Sequence, residues 1–204
     1  ILKAAGSGAN MLVVYHGLLP NPVEAFTDAL LDKIRLLLEN RIVLYVVHTS
    51  WLSAECGIND TLADILGLIV AEAFNVESEG KRVPLGRVCN FGESVGDKVG
   101  RDAKSSRLSD FIERIIERLD LAEAIYVGNL HAPVKRALIL AGEYGRRHWL
   151  RLAAARGVDT YVTGSISRDT AMLSNELGLN YVCVDNHIME SLGMRRLMQL
   201  LSID

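Results

Sequence analysis

Short apolar runs alternate along this chain with longer stretches whose apolar residues recur at three- and four-residue intervals. Residues 11–15 form a β-rich run after Gly6 and Gly8, and residues 23–38 carry Phe26, Leu30, Ile34, Leu37 and Leu38 at helical spacing. Residues 42–47 are uninterrupted and almost wholly β-branched or aromatic, the pattern of a strand buried on both faces. Helical spacing returns over 57–68 through Leu62, Ile65 and Leu66. Between residues 75 and 104 the chain turns polar and glycine-rich, which predicts a long excursion with strand character only near 86–91. Leu108, Phe111, Ile112, Ile115, Ile116 and Leu119 then form one clean helical stripe. Strands are expected at 124–127, 136–140, 160–163 and 181–184. Helices are expected at 146–156 and 170–177, and another over 194–201 closes the chain.

This alternation predicts an α/β fold with mostly parallel sheets and helices on their faces. A loose internal repeat adds to it. The segment A-A-G-S-G-A-N-M-L-V-V-Y-H near the start and A-A-R-G-V-D-T-Y-V-T-G later each lead through a helix into a second strand that ends in histidine, His48 or His187. Two interlinked, pseudo-duplicated α/β units are therefore expected. Residues 1–74 make the first unit, 75–145 an intervening segment with strands of the second, and 146–204 a closing segment, all in one intertwined globular whole. The first residue is Ile1 rather than Met, and I-L-K-A-A-G-S-G-A-N reads as a helix end running into a strand, so an upstream portion is expected.

Composition narrows the classes. The 204 residues are 50% hydrophobic and 23% charged, with a mean hydropathy of +0.20, which is no disordered chain. No uncharged apolar run approaches the ~20 residues of a membrane span. A formal charge of −3 and a pI near 6.0 argue against a protein that mainly coats nucleic acid. Cys56, Cys89 and Cys183 are odd in number and widely spaced, so they suit neither a disulfide framework nor a C-x-x-C metal clip. A reducing, cytoplasmic setting is expected.

His16, His48 and His187 each lie just past the carboxyl end of a predicted strand, the edge where ligands bind in open α/β sheets. One such histidine alone is more simply a strand cap. Three of them, with Glu190 close behind His187, form a mixed nitrogen and oxygen set suited to Zn, Mn, Fe or Ni. His131 and His148 read as surface residues. Thr163, Gly164 and Ser165 leave a strand and enter a helix, where free N–H groups suit a phosphate or carboxylate. A plain helix N-cap by Ser165 or Ser167 fits that stretch equally well. The loop before residue 146 is no P-loop, and no G-x-S-x-G elbow is present. Arg146, Arg147, Arg151 and Arg156 recur along one helical stretch that faces either nucleic acid or solvent, and the net charge favours solvent.

The ordered set Val13-Val14-Tyr15-His16-Gly17, Tyr45-Val46-Val47-His48-Thr49 and Gly57-Ile58-Asn59-Asp60-x-Leu62 resembles the first half of the GTP cyclohydrolase 1 type 2 homologues, also called NIF-three-like proteins. Gly157-Val158-Asp159-Thr160-Tyr161-Val162-Thr163-Gly164 and Asn186-His187-x-x-Glu190-x-x-Gly193 resemble its second half. The resemblance runs from the first strand to the last helix.

It implies a NIF-three-like fold, a ring-shaped homohexamer and a two-metal site. That site uses a His-His pair after the first strand, the Asp of a His-Thr-Asn-Leu-Asp run, and a late His with a Glu four residues on. Here the pair is Tyr15-His16, the run is His48-Thr49-Ser50-Trp51-Leu52, and Asn186 stands at the late His position. Only His16 and Glu190 match as ligands. The resemblance implies a metal-dependent hydrolase acting on a nucleotide or related small substrate; here the expected divalent transition metal sits on the matching His16 and Glu190, with the neighbouring His187 assisting. In it His48 is the catalytic residue that orients water or substrate, while Tyr15 and Asn186 line the site. One ion, two or none remain open. The alternative is a non-catalytic, ring-forming binding protein that has kept the fold and lost the dinuclear site.

Overall fold

The computed structural model describes residues 1–19, 22–23, 25–78, 80–91 and 106–202. It divides into two compact units, Ile1–Trp51 and Leu52–Asp204. The first unit runs through α1 (Leu2–Gly6), β1 (Met11–Val14), α2 (Asp28–Glu39) and β2 (Val43–Val46) into the start of α3 (His48–Ser53). β1 and β2 pair in parallel, with Met11 opposite Val43 and Val14 opposite Val46. Helix α2 begins later than the apolar spacing predicts. Thr27 takes an extended backbone and its hydroxyl accepts from the Leu30 amide, an N-cap that leaves Phe26 outside the helix and exposed. The expectation that residues 42–47 are buried on both faces is also corrected. In a two-stranded sheet Val43 and Tyr45 remain 56% and 57% exposed, and only Ile42 is buried.

The second unit continues with α4 (Ile58–Leu66), β3 (Leu68–Ser78), β4 (Lys81–Phe91), β5 (Ser106–Arg107), α5 (Leu108–Leu119), β6 (Ile125–Val127), β7 (Pro133–Val134) and β8 (Arg136–Leu140). Then come α6 (Arg147–Ala155), β9 (Thr160–Thr163), α7 (Arg168–Glu176), β10 (Asn180–Cys183) and α8 (Asn186–Leu201). Six strands form one sheet in the order β3-β4-β8-β9-β10-β6, while β5 and β7 pair separately. The sheet is mixed rather than mostly parallel. Only β8–β9 and β9–β10 run parallel, and β3–β4, β4–β8 and β10–β6 are antiparallel. The central strands β8 and β9 fall where the apolar runs placed them.

The polar stretch from residue 75 is likewise corrected: up to Phe91 it belongs to a long β3–β4 hairpin, and residues 92–105 lie outside the described residues. Phe74, Val76 and Leu85 turn inward and are buried, while Glu72, Glu77, Lys81 and Arg82 face out and Arg87 is the one buried charge among the described hairpin residues. Pro84 has no N–H for the ladder and sits beside a register shift, the kind of place a strand tolerates proline. Helix α5 buries Leu108, Phe111, Ile112, Ile115 and Leu119, the predicted stripe. Helix α8 starts at Asn186, well before residue 194, so His187 lies in a helix's first turn and not in a loop after a strand.

The repeat seen in the sequence has a structural counterpart. The orders α1-β1-α2-β2-α3 and α6-β9-α7-β10-α8 match, and in each the two strands are parallel neighbours. Two motifs hold the second unit together. Gly193 on α8 meets the start of α4 so closely that a Cβ there would fall 2.4 Å from Ile58 Cγ1. Asn59, fully buried, donates to the Leu52 and Leu85 carbonyls at 3.0 and 2.9 Å and accepts from the Ala141 amide at 2.9 Å. Next to it, Arg87 forks onto Asp60 at 2.6 and 3.0 Å and donates its remaining N–H groups to the carbonyls of Ser53, Ala54, Pro84 and Gly86.

Candidate functional site

In the first unit the parallel pair β1–β2 delivers three rings to its carboxyl edge. The Val47 and His48 amides donate to Val14 and Tyr15 carbonyls at 3.0 and 3.2 Å, extending the pairing past both strands. Tyr15 is buried and sits between two exposed histidines. Its ring stacks on His48 at 5.0 Å between centroids with 25° between planes, and meets His16 edge-on at 4.8 Å. The two imidazoles stand 5.4 Å apart. His48 has a backbone φ of +23°, a region a side chain other than glycine's rarely enters, at the point where strand turns into helix. Its Nδ1 lies 2.9 Å from Thr49 Oγ1, a bond whose direction follows the ring tautomer. Strain of this kind clusters at functional positions, because only a surrounding structure that over-determines the residue sustains it.

In the second unit β9 ends in the turn at Thr163, Gly164 and Ser165. The Thr163 hydroxyl and the Gly164 amide both donate to the Gly142 carbonyl at 3.0 Å. Ser165 Oγ accepts from the Gly145 amide at 3.0 Å, and Tyr181 donates its hydroxyl to the Ser165 carbonyl. Tyr161 donates to the Tyr144 carbonyl at 3.0 Å. An anion on this turn would compete with these internal bonds. The cap of the following helix is Ser167, whose side chain and that of Thr170 form a reciprocal capping box. Burial raises the pKa of the Tyr161, Tyr181 and Tyr144 phenols, so all three stay protonated through neutral pH, and Tyr161 and Tyr181 keep donating.

The first turn of α8 carries the other candidates. Asp185 caps the helix by accepting from the Ile188 amide. Asn186 donates its amide to Glu190 Oε1 at 2.7 Å, and Glu190 is only 8% exposed. Gly164 makes room for this pair, since a Cβ there would fall 2.7 Å from Asn186 Oδ1 and 2.9 Å from the Gly142 carbonyl oxygen. His187 points away, exposed, with Nε2 3.5 Å from Ser191 Oγ. The structure therefore gathers Tyr15, His16 and His48 in one unit and Thr163–Ser165, Asn186 and Glu190 in the other.

The residues present do not fit a dinuclear metal centre. Two cations in one site need several anionic or imidazole donors and a bridging group. Leu52 is fully buried and has no donor atom on its side chain, and Asn186 directs its amide N–H, not an oxygen lone pair, at Glu190. Among the described residues no group of three or more His, Cys, Asp or Glu side chains comes together as a metal would require. No described helix is long and apolar enough to cross a membrane.

The glycine spacing Gly142-x-x-Gly145 was the sequence signal for the loop that buttresses β9, because a Cβ on Gly145 would strike the Ser165 carbonyl at 2.2 Å. Asn59 and Tyr161 lie within the motifs quoted above, but nothing in the sequence marked their hydrogen bonds or that of Tyr181.

Comparison with known proteins agrees with this architecture. A protein of Methanocaldococcus jannaschii described as "GTP cyclohydrolase 1 type 2 homolog" is 27% identical over 99% of this chain and 75% of its own length. A Clostridium perfringens protein of the same description is 31% identical over 88% of this chain and 64% of its own. The chain thus spans about two thirds to three quarters of these relatives. Among solved structures, a Bacillus cereus protein related to NIF3 superposes with a TM-score of 0.77 at 19% identity, covering 98% of this chain and 78% of that one. Reduced HcgD from Methanocaldococcus jannaschii gives 0.75 at 25% identity, covering 98% and 73%. The profile of one family matches residues 1–204, and the chain belongs to that family, Duf34/NIF3 (NGG1p interacting factor 3).

Proposed function

We propose that this member of the family is a non-catalytic binding protein that keeps the fold without the dinuclear centre and takes a small, nucleotide-like ligand. The observation that carries this is the 2.7 Å bond from the Asn186 amide to Glu190. A side-chain N–H stands where the family pattern has an imidazole ligand, and it gives the buried carboxyl a donor without any cation. The exposed imidazoles of His16 and His48 supply faces on which a heteroaromatic ring can stack, and the name of the relatives suggests a purine nucleotide. Assembly into a homo-oligomeric ring belongs to the same proposal and is supported by the exposed Val43, Tyr45 and Val46 of β2. A cytoplasmic setting is part of the same proposal, supported by three cysteines that form no disulfide.

A second reading, a hydrolase with a single divalent transition metal, is favoured by the 5.4 Å separation of the His16 and His48 rings. One experiment separates the two. Protein purified without chelator is analysed for transition metals and then titrated calorimetrically with GTP. The proposal expects less than about a tenth of an equivalent of metal, since too few donors are present to hold one, and GTP binding that weakens in His48→Ala. A full equivalent of metal that disappears in His16→Ala, together with turnover of GTP, overturns it in favour of the hydrolase.

A further inference from the structure

Helix α6 is charged unlike any other helix of the second unit. Its sequence R-H-W-L-R-L-A-A-A holds no carboxylate, and the residue at its N-cap is a further arginine, Arg146. Helices α5, α7 and α8, by contrast, all contain carboxylates alongside their arginines. Its inner face is anchored by Leu150, Ala153 and Trp149. The Trp149 ring packs edge-on against Phe74 and Tyr144, at 6.5 and 5.8 Å. Arg156 beyond its end is already engaged, with its guanidinium 4.6 Å over the Phe74 ring and a bond to the Asn75 carbonyl. The outer face is different. Arg146, Arg147, His148 and Arg151 are all exposed, and at 100° per residue 147, 148 and 151 share one side of the helix. Among the described residues none of these arginines forms an ion pair.

The placement also opposes the helix. Cations at a helix N-terminus meet the positive end of the macrodipole, and the first turn of α6 has no acidic residue to offset them. Helix stability would select the reverse arrangement, and the net charge of −3 shows that the chain as a whole has no bias toward such a cluster. What the cluster gains from is a polyanion. The His148 ring, exposed and packed on Trp149 at 4.2 Å between centroids, adds an aromatic face of the kind on which unpaired bases stack.

From this juxtaposition of three exposed arginines, without an ion pair among the described residues, and one supported imidazole on a carboxylate-free helix, we infer that α6 is a docking surface for single-stranded nucleic acid. Arg146, Arg147 and Arg151 contact phosphates, and His148 stacks on a base. The inference is independent of the ligand assigned to the rings of the first unit.

The test is fluorescence anisotropy of a labelled ~12-nucleotide single strand, a length that fits the usual site sizes, titrated with the full chain over a salt series. Three phosphate contacts predict a slope of log K against log salt of about −2. Arg147→Glu with Arg151→Glu abolishes binding at about 50 mM salt, whereas Arg147→Lys with Arg151→Lys retains it with the slope unchanged. His148→Ala weakens binding while leaving the slope alone. All substituted groups are exposed, and a thermal melt matching the parent protein shows that each variant folds. Three outcomes overturn the inference: no salt-dependent binding, binding equal in the glutamate variant, or capture by phosphatidylserine vesicles that needs the same arginines while the oligonucleotide stays free.

Discussion

Replacing Asn59 by alanine tests the reading of the second unit most directly. Its amide joins three main-chain groups remote in sequence, the carbonyls of Leu52 and Leu85 and the N–H of Ala141, at 2.9 to 3.0 Å in a fully buried position. A typical intramolecular hydrogen bond contributes about 1 kcal/mol net, but a buried group left without its partner costs about 1–3 kcal/mol. Three such groups lose a partner at once, and partial relaxation around the small cavity returns some of the loss, so Asn59→Ala should cost about 3–5 kcal/mol. Against a total stability of about 5–15 kcal/mol, that is a large fraction. At about 2–4 °C per kcal/mol for a chain this size, Tm falls by about 6–20 °C. Urea denaturation followed by circular dichroism measures the change, with the m-value expected to hold. Asn59→Asp keeps an acceptor for Ala141 but turns oxygens toward two carbonyls, and should be at least as damaging. Hydrogen exchange gives a local readout, because the Ala141 amide loses its protection in the alanine variant. A loss below about 1 kcal/mol, with Ala141 still protected, would refute the hub.

Further outcomes follow from the same geometry. Asp60→Asn leaves the Arg87 guanidinium, 5% exposed, without its counter-charge and should destabilise by about 3 kcal/mol in the same urea assay. Gly164→Ala drives a methyl group against Asn186 and the Gly142 carbonyl and should cost about 1–3 kcal/mol, read as a lowered Tm together with a changed Asn186 side-chain amide resonance. Burial pushes the Cys89 thiol from 9.0 up to about 12. Below pH 9 both folded and unfolded chains keep that proton. Above it the unfolded chain releases the proton first, so stability falls as pH rises from 9 toward 12, by up to about 1.4 kcal/mol per pH unit for this group. Cys89→Ala should flatten that slope. In the native protein a thiol reagent should label exposed Cys56 rapidly, leaving Cys89 unmodified until unfolding.

Much of the second unit was legible because its strands carry their burial in their composition. Ala137 to Leu140 and Thr160 to Thr163 sit buried in the middle of the sheet, so an apolar run in β8 and a β-branched and aromatic run in β9 marked both strands. The hairpin was hidden because in its distal part, from Phe74 to Leu85, only Phe74, Val76 and Leu85 are buried, and the intervening charges and Pro84 imitate a loop. Residues 42–47 erred the other way. A strand beside a single partner can be as β-branched as a central one and still expose Val43 and Tyr45, because composition reports pairing propensity and not the number of covering layers. Strand direction was misjudged for a related reason. The alternation of helices and strands suggested crossovers throughout, whereas the hairpin and β6 add antiparallel edges to a parallel centre.

The candidate site was legible as a set of positions and not as chemistry. Tyr15, Leu52 and Asn186 each differ from the family pattern, and taken singly each could be neutral drift. The structure gives two of them, Asn186 and Leu52, a physical role. A buried carboxyl needs either a cation or hydrogen-bond donors, and with no imidazole at residue 186 to share a metal, the Asn186 amide supplies a donor to Glu190 directly. Gly164 leaves the space this requires. Leu52, whose carbonyl accepts from Asn59, has become part of the packing around α4 and no longer offers a ligand. Restoring one ligand alone would therefore gain little. Asn186→His removes the amide that now donates to Glu190 Oε1, and Leu52→Asp places a carboxylate in a fully buried apolar position. Each change is costly unless a cation arrives with it, so one restored ligand meets a pocket already shaped around the Asn186–Glu190 bond and a buried Leu52.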